Sequence, residues 1–125
     1  MGKVYRGFRD LKVYQLSYVL AMEIFNETKK FSTEERYSLT DQIRRASRSI
    51  PANLAEAWKK RRYERLFISK MTNSAGEAAE VEVWLDFARD YGYFNTDRHD
   101  YFHERYEEVS RMLSSMARQP EKFCF

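Results

Sequence analysis

The sequence predicts an all-α protein, an antiparallel up-down-up-down four-helix bundle with a kinked second helix. Three observations predict it. Apolar residues recur at three- and four-residue spacings through four long segments, with no alternating strand pattern between them. The 125 residues include only four glycines and two prolines, too few breakers for many short elements. Short runs of turn and capping residues separate the segments, which makes successive helices antiparallel neighbours. A composition 43% hydrophobic and 33% charged suits one core, so residues 1–125 read as a single domain.

Helix 1 is expected over about residues 8–30 and carries two apolar stripes. Leu11, Tyr14, Tyr18, Met22 and Phe25 form one; Val13, Leu16, Leu20 and Ile24 form another on a different side. An outer helix of a small bundle needs only one. Either the helix is deeply buried, or one stripe packs the core and the other a neighbouring subunit. Lys12, Glu23 and Glu27 leave a polar edge that favours the second reading. Val13, Leu16, Leu20 and Ile24 are then assigned to the oligomer interface. Two tryptophans, nine tyrosines and nine phenylalanines in so small a chain point the same way.

Helix 2 is expected over about residues 33–60, after the turn Phe31-Ser32-Thr33. Ser32 with Glu35 three residues on fits a capping box. Leu39, Ile43, Ala46, Ile50, Leu54 and Ala57 fall on one face, and Arg44, Arg48 and Lys59 on another. Between these cations lie only Ala52, Ala55 and the ring of Pro51, a smooth strip that a helix backbone can approach. Pro51 removes a hydrogen bond to the Ser47 carbonyl, at about 3 kcal/mol in a helix interior. The apolar stripe keeps its phase through the proline, which favours one kinked helix over two. Asn53 stands ready to serve a freed backbone group or a neighbouring helix.

Helix 3 is expected over about residues 63–91, with Phe67, Met71, Ala75, Ala78, Leu85 and Ala88 on one face. Gly76, among small residues, is expected where another helix comes close, offsetting the roughly 1 kcal/mol that glycine costs in a helix. Glu77 and Glu80 form either a solvated acidic pair or partners for Arg44 or Arg48. Gly92 closes this helix, and Asn95-Thr96-Asp97 opens helix 4 over about residues 97–118. Phe102, Tyr106, Val109, Leu113 and Met116 make its apolar stripe. Pro120 ends it, leaving Glu121 to Phe125 as an expected mobile tail.

The chemistry-bearing residues are sparse. His99 and His103 stand one turn apart but lack a third histidine, so they read as surface residues, and no metal or other cofactor is expected. No phosphate-cradling glycine loop or activated serine is present, so the chain reads as non-enzymatic, with no small-molecule substrate. Cys124 alone cannot form an internal disulfide and reads as a free thiol in a reducing compartment. Met1 to Arg9 is polar, so no signal peptide is expected. No run reaches the ~18 apolar residues of a membrane span, so no membrane partner is expected and the location is cytoplasmic.

The net charge of +3 permits nucleic-acid binding without demanding it. Placement matters more. Arg44, Arg45 and Arg48 cluster on helix 2, and Lys59, Lys60, Arg61 and Arg62 follow at its end. They form either a solvated face paired with nearby acids or a surface that displaces counterions from RNA or DNA phosphates. Trp58 and Tyr63 beside the cluster suit base stacking or packing equally well.

Several of these segments resemble the family of 23S ribosomal RNA intervening-sequence proteins. The likeness rests on Phe8-Arg9-Asp10-Leu11-Lys12-Val13-Tyr14-Gln15 in helix 1. In helix 2 it rests on Tyr37-Ser38-Leu39-Thr40, Gln42-Ile43-Arg44-Arg45-Ala46 and Ser49-Ile50-Pro51-Ala52-Asn53-Leu54-Ala55-Glu56. Gly76, Glu80, Glu82 and Tyr91-Gly92-Tyr93 extend it through helix 3. Ala57 and Glu77 depart from the family's usual glycine and serine. The resemblance implies a four-helix bundle assembling into a homopentameric barrel. A related branch engages a reverse transcriptase and nucleic acid through such a barrel. The expected function is thus an oligomeric, nucleic-acid-associated bundle, with a protein-interaction scaffold as the alternative.

Overall fold

The computed structural model describes residues 4–125; residues 1–3, the start of the polar segment Met1 to Arg9, lie outside the described residues. Four helices carry the fold: α1 (Lys12–Thr28), α2 (Leu39–Lys59), α3 (Glu64–Asp90) and α4 (Thr96–Arg118). Each packs on its neighbours in a closed square, α1 on α2, α2 on α3, α3 on α4 and α4 back on α1. This is the four-helix bundle expected, and no strand occurs among the described residues.

Periodicity located the core of three helices. Leu39, Ile43, Ala46, Ile50, Leu54 and Ala57 are all buried on α2, as are Phe102, Tyr106, Val109, Leu113 and Met116 on α4. On α3, Phe67, Met71, Ala78, Leu85 and Ala88 are buried with Ser74 and Val81, and Ala75 is half-buried at their edge. α2 continues unbroken through Pro51. Asn53 donates from Nδ2 to the Ser49 carbonyl at 3.0 Å, so it serves its own helix.

On α1 the expected division of labour is reversed. Leu20 and Ile24, assigned to the interface, are each 1% exposed, Val13 is buried and Leu16 packs half-buried on the core. Of the stripe left for the core, Leu11 is buried and Tyr14 half-buried, but Tyr18, Met22 and Phe25 are 50%, 52% and 41% exposed. The physical reason is that Ser17 and Thr28 complete the buried stripe. Their hydroxyls donate to the Tyr14 and Phe25 carbonyls of their own helix, at 3.1 and 3.0 Å. Polar in sequence, both are satisfied locally and pack as small residues.

Helix ends bring further corrections. The Ser32 hydroxyl accepts from Glu34 N at 3.3 Å, but it starts only a 3-10 turn, Thr33–Glu35. Glu35 accepts from Ser38 Oγ (2.7 Å) and Tyr93 OH (3.3 Å), leaving no carboxylate to close the box, and α2 starts at Leu39. At the end of α3, Gly92 takes φ 83°. The Tyr93 amide then reaches the Ala88 carbonyl and the Gly92 amide that of Arg89, both at 2.9 Å, which is a Schellman closure. The expected mobile tail is instead folded back. Residues 120–122 form a 3-10 turn, and Phe123 lies against Phe67 and Tyr5, each at 5.9 Å between ring centroids. The Cys124 thiol is free and half-buried there, and burial pushes its pKa up.

The close approach of another helix expected at Gly76 is absent. Gly76 is exposed, and a methyl group built there would meet nothing within 4 Å. The smooth strip of α2 likewise faces α1 and open space, with Ala52 exposed.

Candidate functional site

The exposed aromatic side of α1 and the smooth strip of α2 enclose one groove of about 510 Å³. Tyr14, Tyr18, Met22 and Phe25 form one wall; Pro51, Ala52 and Ala55 form the other, with Arg48 at the rim. A proline and two alanines leave depth that larger side chains would fill.

Beyond Phe25 and Arg48 the groove gives way to a second, polar cleft of about 430 Å³. Lys29, Arg36, Arg44 and Arg48 line it, with Asp41 the acid among them. Lys29 and Arg36 were not singled out from sequence, because they lie in the α1–α2 connection, outside any helical stripe. The loop folds them beside α2, so only tertiary structure joins them to Arg44 and Arg48.

The seven predicted cations do not form one patch. Arg44 is occupied: its Nε donates to Thr28 Oγ1 at 2.7 Å and its guanidinium lies 4.5 Å from the Phe25 ring centroid. Arg45 points elsewhere, toward Asp41 at 4.0 Å. Burial and the neighbouring Glu80 raise the Glu77 carboxyl above its usual range, with only a smaller opposing pull from Arg45. Arg61 caps its own helix: NH1 donates to the Trp58 carbonyl at 2.8 Å, and the guanidinium stacks 3.9 Å from the Trp58 ring. This cap ends α2 at a segment without glycine. Arg48, Lys59, Lys60 and Arg62 are exposed. At 1.5 Å rise per residue, Lys59 lies about 22 Å along α2 from Arg44, so the cleft and the helix end are separate cationic centres.

The chain matches the profile of the 23S rRNA-intervening sequence protein family over residues 9–115. It belongs to that family. Among solved structures, the family's fold is seen in a crystal structure of a protein of unknown function from the S23 ribosomal protein family of Bacteroides thetaiotaomicron. The two share 27% identity with a TM-score of 0.76, over 85% of this chain and 95% of the other. No curated protein matches this sequence. The match to the 23S rRNA-intervening sequence proteins spans all four helices, hence both groove and cleft. No described helix is long and apolar enough to cross a membrane.

Proposed function

We propose that this chain is a binding module that does not itself catalyse a reaction. Its copies associate through the aromatic face of α1, and its cations engage nucleic-acid phosphates. One observation carries the reading: the apolar groove and the cationic cleft are contiguous, sharing Phe25 and Arg48. An assembly joined through Tyr18, Met22 and Phe25 would repeat the cleft once per copy, so weak phosphate contacts add by effective concentration. The cations that line the cleft suit phosphate oxygens, so phosphate contact should dominate and sequence discrimination should be small. A location in the cytoplasm and a ring of five copies belong to the same proposal.

The test is fluorescence anisotropy with labelled RNA and DNA at low and near-physiological salt, with assembly size followed by light scattering. Arg36→Gln combined with Arg48→Gln should weaken binding evenly across sequences. It should also flatten the salt dependence, by about 0.9 in log–log slope for each DNA phosphate that is no longer neutralised. Replacing Lys59, Lys60 and Arg62 with glutamine reports on the far end of α2 in the same way. Absence of binding by the assembled protein at low salt would overturn the nucleic-acid reading. It would leave a protein-interaction scaffold, which the exposed Tyr18, Met22 and Phe25 support without any cation.

A further inference from the structure

Away from this face, the seam between α3 and α4 gathers a different chemistry. Glu82 of α3 and His103 and Glu107 of α4 each offer one ligand atom, all within 4.8 Å of one another. Helical spacing makes this possible: His103 and Glu107 are four residues apart on one side of α4, and Glu82 meets them across the seam. His103 Nδ1 lies 2.7 Å from Glu82 Oε1. The Glu82 side chain is 18% exposed and that of His103 50%, so the group is walled by the bundle on one side and open to water on the other.

The other histidine provides the contrast. His99 stacks one turn away, nearly parallel to His103, with 6.0 Å between ring centroids. It is buried, against the expectation of a surface residue. Its Nε2 lies 2.7 Å from Asp86 Oδ1 and its Nδ1 3.0 Å from Asp100 Oδ1. Both nitrogens are thus engaged, by carboxylates on different sides of the ring, and these groups do not converge on one point. Around His103 they do.

We propose that Glu82, His103 and Glu107 bind a divalent first-row transition ion, zinc or manganese(II). One imidazole nitrogen with two carboxylate oxygens is harder than a thiolate site and softer than an all-oxygen site. That donor set favours these ions over magnesium and calcium. Two facing carboxylates repel when both are ionised, and a dication between them converts that repulsion into attraction. Three protein ligands leave the remaining positions to water on the open side. The ion would clip α3 to α4, and since only the folded chain brings the three groups together, it would raise stability.

The test uses the whole 125-residue chain, stripped with chelator and titrated calorimetrically with zinc sulphate and with manganous chloride. Thermal midpoints are recorded in parallel. One ion per chain and a raised midpoint are expected. His103→Ala and Glu107→Gln, both at exposed positions, should each weaken binding by more than about tenfold with helicity intact by circular dichroism. Cys124→Ser and Asp100→Asn should leave it unchanged. No saturable binding of either ion would overturn the proposal. So would affinity that survives both ligand variants, or that disappears with Cys124.

Discussion

Arg44 of α2 serves the last turn of α1: its guanidinium sits over the Phe25 ring at 4.5 Å, and its Nε holds Thr28 Oγ1 at 2.7 Å. α1 has no basic residue of its own in that turn. Beside Lys29 at the C-cap, whose Nζ lies 5.0 Å from the same ring centroid, Arg44 adds a further cation that a helix C-terminus favours, from the neighbouring helix. Arg44→Ala should destabilise the chain by about 1–2 kcal/mol in urea denaturation. It should reduce nucleic-acid binding less than loss of the exposed Arg48. A stability unchanged by the substitution would contradict the anchoring role.

The two faces of α1 separate folding from association. Leu20→Glu buries a carboxylate without a partner and should cost more than about 3 kcal/mol, enough to unfold much of the chain. Met22→Glu adds a charge to the exposed face and should leave helicity and denaturation midpoint nearly unchanged while reducing the mass seen by light scattering. Equal effects on mass from both variants, with both folded, would break the assignment.

Gly76 lies exposed in the middle of α3 with open space around it. Gly76→Ala should stabilise by about 1 kcal/mol, through helix propensity and a less flexible unfolded chain. Chemical denaturation of the isolated chain measures it. Destabilisation, or a smaller assembly, would show that a neighbouring copy needs the missing side chain.

Burial, reinforced by the facing Glu107, raises the Glu82 carboxyl from 4.5 to about 7, against an opposing pull from His103. A raised folded-state pKa means that the folded chain favours the protonated acid. The resulting stability is fully present below about pH 4.5 and is lost as pH climbs through about 7. With chelator present, the thermal midpoint should fall across that window, and Glu82→Gln should flatten the fall. Identical profiles for the two proteins would refute this.

The Tyr106 hydroxyl is buried without a hydrogen-bond partner among the described residues, and burial holds its pKa far above the usual phenol range. Tyr106→Phe removes an unsatisfied polar atom and preserves the ring, so stability should be unchanged or higher by up to about 1 kcal/mol. A clear loss in thermal or urea unfolding would mean that the hydroxyl is satisfied.

Sequence alone determined the class of fold, the four helices and the buried faces of α2, α3 and α4. Those faces are read from apolar period, and Ile43, Leu54, Phe67 and Phe102 sit where that period puts them because burial of such side chains drives folding. Gly92 was legible for a similar reason, since a left-handed residue at a helix end selects glycine. Tertiary structure decided everything that required two elements at once. It chose which stripe of α1 is core, because Ser17 and Thr28 hide their polarity in local hydrogen bonds that composition does not reveal. It divided the cations, tying Arg44 and Arg61 to aromatic rings and bringing Lys29 and Arg36 into a cleft with Arg48. It also set Glu82 against His103 and Glu107, a meeting that helical period within one segment cannot express, because the ligands come from two helices whose relative rotation is set only when the bundle packs.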